Sequence, residues 1–238
     1  MINKVIQGLW IGPELSLMEQ LSIASFLMNG HEYHLYIYDD MKGIPAGTTI
    51  KDGREILPPS MIFQYEHFKT YAGFANFFRY KLLLEKGGWW ADTDTICLKP
   101  FDFAEEYIFS SELCQGEEVI NNGIIKAPAA SDVMAYAWQV SQTKDPAQLV
   151  WGELGPKLMA EAVRAFALER FVQPHHVFCP LHLLEWDKVL IEGVKWEFDQ
   201  DTYAIHLWNE FWRRHGQDKN RRYPANCLYE QLKAKYLG

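Results

Sequence analysis

The chain has no apolar run near the ~20 residues that a membrane-spanning helix needs. Its amino terminus, Met1-Ile2-Asn3-Lys4-Val5-Ile6, leads into apolar sequence without the length or small-residue cleavage site of a secretory leader. Cysteine is scarce. Cys97, Cys114, Cys179 and Cys227 form no C-x-x-C pair and no zinc-like spacing, so the expectation is reduced, partly buried thiols in a cytoplasmic protein. Positive charge is also short: 23 Lys and Arg against 31 Asp and Glu leave a net charge of −8. That balance excludes broad affinity for nucleic acid, whose phosphates demand a positive surface. There is no internal repeat, low-complexity tract or plausible linker, and residues 1–238 read as one domain.

What is present suits a single good core. A chain of 238 residues can bury roughly 70–75% of its unfolded surface. Its 48% hydrophobic and 23% charged residues are ordinary for a globular protein. The aromatic content of 15% is high, with nine Trp and twelve Tyr. Most should build core, and some can line a cleft, because aromatic faces stack on sugar rings and bases. One local exception to the acidic balance is the cluster Arg213, Arg214, His215, Lys219, Arg221 and Arg222. It reads as a solvated basic loop, or as a surface for a diphosphate, an anionic acceptor or a membrane.

Val5 to Ile11 is a short apolar run stopped by Gly12-Pro13, consistent with a buried first strand. Leu17, Leu21, Ala24 and Leu27 follow at helical spacing, with Gly30 at the place of a C-terminal cap. Tyr33 to Tyr38 reads as a second strand, so the chain opens β-α-β, the unit of parallel sheets. Residues 41–60, rich in Gly and Pro, read as an irregular connection. A helix is predicted over Glu66–Lys86, ended by Gly87-Gly88, and two short strand pieces around a turn or bulge over Val119–Ile125. Helices are predicted over Ser131–Thr143 and Pro156–Arg170, and short strands over Val194–Phe198 and Tyr203–Trp208, followed by the basic tail.

The segment Gly87-Gly88-Trp89-Trp90-Ala91-Asp92-Thr93-Asp94 sets two carboxylates one residue apart at the end of an apolar run. On extended backbone, side chains at i and i+2 leave the same face. Asp92 and Asp94 can therefore offer several oxygens to one Mg²⁺ or Mn²⁺ held over a phosphate-bearing substrate. Taken alone, an Asp-x-Asp is more often a solvated turn. Asn76 and Arg79, three apart, share one face of the predicted helix, where a capped or snorkelling surface pair is the bland reading.

Several separated pieces agree in order: Ile6-x-x-x-Trp10-Ile11-Gly12, Phe78-Arg79-Tyr80-x-x-Leu83, Gly87-Gly88-x-Trp90-x-Asp92-x-Asp94, Leu98-Lys99-Pro100, Asn121-Asn122-Gly123, Gly155-Pro156 and Ile205-His206-x-Trp208. From about Val5 to Trp212 this order resembles the DXD-containing sugar transferases of glycosyltransferase family 32, and it is similar to the catalytic core of the large glucosylating bacterial toxins. The resemblance implies an α/β protein of GT-A type: a three-layer α/β/α sandwich with a Rossmann-like nucleotide-binding half, a mainly parallel central sheet, and an acceptor-side half with the basic tail. The halves divide at about residue 100.

By the same resemblance Trp10 stacks on the donor base, with Ile11 beside it, and Trp90 and Trp208 border the nucleotide-sugar. Asp94 binds the metal directly, Asp92 bridges metal, ribose or both, and His206 is a third metal ligand. Arg79 faces the donor sugar and diphosphate, where its fixed fork makes two charge-assisted hydrogen bonds, and Asn122 approaches the sugar. Asn76 stands where many relatives carry an aspartate, Trp90 replaces a more usual tyrosine, and Gln7 occupies a place often held by histidine. These departures leave the sugar open, since an amide donates and accepts where a carboxylate only accepts.

The expected activity is metal-dependent transfer of a hexose from a nucleotide-sugar, a UDP-sugar first, to a glycan, lipid-linked glycan or other hydroxyl acceptor with retention of configuration. Mn²⁺ or Mg²⁺ serves as electrophilic catalyst on the leaving diphosphate. A polysaccharide-building enzyme in the cytoplasm, peripheral at the inner membrane face, would fit. Glu210 is a conceivable acid or base, although a surface glutamate is the plainer reading. Two other classes compete: a haloacid-dehalogenase-like phosphatase with Asp92 as the attacking carboxylate, and a non-catalytic glycan-binding module.

Overall fold

A computed structural model describes residues 4–238. Its strands are β1 (Val5–Leu9), β2 (Glu32–Ile37), β3 (Thr49–Asp52), β4 (Gly88–Ala91), β5 (Thr95–Cys97), β6 (Ile108–Cys114), β7 (Glu117–Ala127) and β8 (Ala204–His206). The α-helices are α1 (Leu17–Met28), α2 (Ala72–Lys86), α3 (Asp132–Gln142), α4 (Leu158–Ala165), α5 (His175–Phe178), α6 (Asn209–Arg214) and α7 (Leu228–Tyr236). Six strands form one sheet in the order β3-β2-β1-β4-β7-β6. β3, β2, β1 and β4 pair in parallel, and β7 alone runs against its neighbours. β5 and β8 form a separate antiparallel pair.

Alternation along the strands divides the core in two. Ile6, Tyr33, Leu35, Trp89 and Ala91 point to one face, where α1 and α7 add Leu21, Phe26, Leu228 and Leu232. Leu9, Tyr36 and Trp90 point to the other, against Phe74 and Phe78 of α2, Met134 of α3 and Met159 of α4. The result is the expected three-layer α/β/α sandwich on a mainly parallel sheet.

α1 starts where Ser16 caps it: the Ser16 hydroxyl accepts from the Met18 amide, and Glu19 takes the Ser16 amide at 2.8 Å. α2 begins at Ala72, six residues later than predicted. The stretch before it folds back instead, with the Tyr65 amide bonded to Thr70 O and Lys69 at a positive φ of 49°. Gly87 ends α2 at φ 63°, and a Cβ there would stand 3.0 Å from the Pro128 carbonyl carbon. Gln7 lies outside the cleft. Its amide donates to Gly87 O and Trp89 O and so ties β1 to β4.

Other expectations need correction. β3 lies inside the stretch read as irregular, and β6 was not foreseen. The helix predicted from Pro156 is a π-turn over Glu153–Lys157 followed by α4, which stops at Ala165. Val194–Phe198 contains no strand, and the end of the basic tail is α7.

The stretch predicted as two strand pieces is continuous β7 with a wide bulge. Phe109 pairs with Ile125 and Ser111 with Ile120, so Asn121 to Ile124 oppose Ser110 alone. The buried Ser110 hydroxyl fills the gap in the ladder. It donates toward Asn121 O at 3.1 Å and Ile124 O at 3.0 Å and accepts from the Ile124 amide at 3.2 Å. The Asn121-Asn122-Gly123 arch stands out from the sheet at this point.

Candidate active site

Strand order reverses between β1 and β4: the chain moves from β1 outward to β2 and β3, then returns to β4 on the other flank. The carboxyl ends of strands at such a switch point border a crevice, because the connections leave in opposite directions. Trp10 and Ile11 follow β1 there, and Asp92 follows β4. The crevice is a cleft of about 800 Å³, within the size range of small-molecule sites. Trp10, Ile11, Asn76, Arg79, Trp90, Asp92, Asp94, Asn122, His206 and Trp208 all border it, so the structure brings every sequence-predicted site residue to one cavity.

The acidic pair leaves β4 in a turn in which the Thr95 amide donates to Asp92 O. Asp92 is fixed first by its neighbours: its Oδ1 accepts from Arg79 Nη2 at 2.8 Å and from Trp90 Nε1 at 2.9 Å. Arg79 is buried, contrary to the surface reading, with its guanidinium carbon 4.8 Å from the centre of the Trp90 ring. It also donates to Asn122 O on the β7 arch. Asn76, one turn before it, accepts from Asn122 Nδ2 at 2.8 Å. Arg79 and Asn76 thus join α2 to the bulge, while Trp90 serves mainly as a buried wall and donor to Asp92.

β8 brings the third group. Pairing of Thr95 with His206 sets the imidazole against Asp94, with Nε2 3.2 Å from Asp94 Oδ1. Asp94 Oδ2 accepts from the Asn209 amide at 2.8 Å, at the start of α6. Trp208 takes left-handed backbone at φ 58°, donates its indole N–H to Leu181 O, and packs 4.1 Å from the imidazole centre.

Burial pushes the Asp92 carboxyl above the usual carboxylate range despite the opposing Arg79 charge. Burial acts the same way on Asp94, but the His206 charge and hydrogen bond, with the Asn209 amide, outweigh it and hold that carboxyl low. Burial alone would discharge His206; the Asp94 carboxylate instead raises it well above the ordinary histidine value. Without a metal the two form an ion pair.

Ligand atoms of Asp92, Asp94 and His206 lie within 4.8 Å of one another. Two carboxylates and one imidazole suit a first-row divalent cation such as Mn²⁺ better than all-oxygen Mg²⁺. Gly123 leaves room for it: a Cβ there would stand 3.3 Å from Asp92 Oδ2 and 3.7 Å from His206 Cε1. Among the described residues, His206 Nδ1 is buried without a hydrogen-bond partner. A second group, His176, Asp199 and Asp201, lies at the surface beside Lys99.

Two expectations about charge change here. Glu210 is not poised as an acid or base: it accepts from Arg213 at 2.7 and 2.8 Å and from Arg214 at 2.7 Å. Three cations of the basic cluster have internal partners, Arg213 and Arg214 on Glu210 and Lys219 on the buried Glu19, while Arg221 and Arg222 stay exposed. Arg214 also lies 4.3 Å from the Phe68 ring centre and 4.6 Å from that of Trp151, tying α6 to two loops at the cleft mouth. A phosphatase-like Asp92 would end the first strand, whereas here it follows β4 with Oδ1 already engaged. Glu112 and Asn121 also border the cleft and were not singled out. Asn121 stood in a quoted motif; Glu112 had no local signal.

Comparisons with known proteins agree with this geometry. Residues 18–113 match the family described as "Glycosyltransferase sugar-binding region containing DXD motif". No curated protein matches the sequence. The solved PaToxG glycosyltransferase superposes with a TM-score of 0.53 at 20% identity, over 69% of this chain and 70% of that one. A solved transferase double mutant (TM-score 0.48, 11% identity, 70% of this chain and 86% of that one) and the apo-form glycosyltransferase GlyE of Streptococcus pneumoniae TIGR4 (0.42, 13%, 74% and 46%) are more distant and carry no argument. Residues 18–113 thus match the DXD-containing sugar-binding region of glycosyltransferases, on a fold similar to that of the PaToxG glycosyltransferase.

Proposed function

We propose that this enzyme transfers a hexose from a UDP-sugar to a hydroxyl of a glycan or similar acceptor, with Mn²⁺ as the preferred cation and retention at the anomeric carbon. The observation that carries the reading is the convergence of Asp92, Asp94 and His206 beside Arg79 at the β1–β4 switch point. When bound there, the cation would neutralise charge that grows on the departing diphosphate. The chain's own residues do the rest. Trp10 offers an indole face at the cleft edge for the base, its N–H already engaged by Glu14 O and Lys219 Nζ 5.5 Å from its centre. Arg79, locked by Asp92 and Asn122, keeps a fixed positive charge at the cleft floor. Asn76 Nδ2 is left to meet a sugar hydroxyl, which is how an amide in place of a carboxylate would select the donor.

On this reading residues 1–100 form the donor side and 101–238 the acceptor side of one catalytic unit. No helix among the described residues is long and apolar enough to cross a membrane. Four free cysteines fit a reducing cytoplasmic setting. The test is nucleotide release from a panel of UDP-hexoses with and without Mn²⁺. Wild type should release UDP from one donor only with metal, and Asp94→Ala should lose that release while keeping its fold. Metal-independent release, or full activity in Asp94→Ala, would sink the assignment.

A further inference from the structure

Glu112 is a carboxylate on the cleft wall that the donor side does not use. It stands on β6 opposite Val119, just beyond the β7 bulge. One oxygen, Oε2, accepts from Asn121 Nδ2 at 2.8 Å; the other has no protein partner among the described residues. Asn121 is in turn held rigidly. Its Oδ1 accepts from the Gly123 amide at 2.6 Å, which fixes the orientation of the side-chain amide and aims Nδ2 at Glu112.

Three residues of one arch thereby link two functions. Asn121 positions Glu112, Asn122 meets Arg79 and Asn76, and Gly123 borders Asp92 and His206. The remaining carboxylate beside this arch is Glu112. Burial raises its carboxyl above the usual range, opposed by the Asn121 hydrogen bond and by His206 and His182 nearby; the Cys179 thiol lies on the same side. A partly desolvated carboxylate with one free oxygen is suited to taking a proton from a hydroxyl that approaches it. Glu210, the other glutamate at the cleft, is consumed by Arg213 and Arg214.

We propose that Glu112 accepts the proton of the incoming acceptor hydroxyl, with Asn121 as its positioning residue. The inference rests on the transferase reading above. In the step, the acceptor oxygen enters on the same face as the departing diphosphate, so that configuration is retained, and bonds to the sugar's anomeric carbon while its proton passes to Glu112 Oε1. The bond from that carbon to the diphosphate breaks, with the electron pair leaving on the diphosphate oxygen. Water can take the acceptor's place, so donor hydrolysis reports on the same proton transfer.

The experiment compares wild type, Glu112→Gln and Glu112→Ala in UDP release from the UDP-hexose that wild type hydrolyses. Thermal melting and UDP–Mn²⁺ affinity are measured alongside. A glutamine keeps an oxygen for Asn121 but cannot take the proton, so Glu112→Gln should retain melting temperature and nucleotide affinity and lose turnover about a hundredfold or more. Azide should restore part of the turnover in Glu112→Ala. Wild-type turnover in Glu112→Gln would overturn the proposal while leaving the transferase reading intact. A glycosyl azide of configuration opposite to the donor's would also overturn it, by making Glu112 a nucleophile, whereas one that keeps the donor's configuration marks azide, which needs no base, entering in the acceptor's place. Failure of wild type to release UDP from any donor would remove the transferase reading, and this step with it.

Discussion

Gly123 and Asp92 face each other at two points. The Asp92 amide donates to Gly123 O at 2.8 Å, and the open side of Gly123 lies against Asp92 Oδ2. A methyl group at Gly123 would stand 2.8 Å from Asn121 Oδ1, closer than van der Waals contact allows, and would fill the space beside Asp92 and His206. Gly123→Ala should therefore weaken Mn²⁺ binding by about tenfold or more, equivalent to about 1.4 kcal/mol. The fold should survive, because Gly123 does not need left-handed backbone. Calorimetric titration with Mn²⁺ checks this, and an unchanged affinity would contradict the role of the arch.

Arg79 should matter to stability as well as to turnover. Its side chain is 5% exposed and its partner Asp92 27%, so removing the guanidinium strands a carboxylate in a poorly solvated place. For Arg79→Ala the expected loss is roughly 3–5 kcal/mol, or a fall in melting temperature of about 6–20 °C for a chain of this size. The deficit should depend on pH. Asp92 already has a raised carboxyl, and without Arg79 it rises further. The folded variant then binds more protons than the unfolded chain, so its stability falls as pH rises through that range. Urea unfolding at pH 5 and pH 8 should show the larger gap from wild type at pH 8.

Metal binding should carry a proton signature. In the metal-free protein His206 is held protonated by Asp94, whereas a metal ligand must be a neutral imidazole. Loading the site thus expels a proton, and Mn²⁺ affinity should increase with pH until it passes the raised His206 value. The slope should approach about one decade per pH unit below that value. His206→Gln should flatten it, since an amide has no such proton to lose. A flat wild-type profile between pH 6 and 8 would remove His206 from the ligand set.

The parts of the site that could be read from the sequence are those built from local chemistry. Asp92 and Asp94 are two residues apart on one extended segment, and Asn76 and Arg79 are one helical turn apart. Glu112 was not legible, because its position depends on the pairing of β6 with β7 and on a bulge that re-aims Asn121. β3 was missed because its four residues, Thr49–Asp52, lie at the sheet edge within a Gly- and Pro-rich stretch. α7 was hidden by its charges. Leu228, Tyr229, Leu232 and Tyr236 bury one stripe against α1, while the lysines and Glu230 stay on the other side. Burial of Arg79 could not be seen in a helix pattern alone; it follows from Asp92, in the turn after β4, and Asn122, on β7.

The floor and the mouth of the cleft are secured with unequal strength. Beneath the arch, the Ser110 hydroxyl meets three backbone groups within a buried sheet, and any displacement there would strand polar groups away from water at a cost of about 1–3 kcal/mol each. At the mouth, Phe68 and Trp151 are joined through the Arg214 cation, a contact worth about 0.5–1 kcal/mol at an exposed ring. Thermal energy can open the second fastening far more often than the first. Parting Arg214 from Phe68 and Trp151 therefore costs less than any shift of the Ser110 hydroxyl beneath the arch, and the two ends of the cleft differ in stiffness accordingly.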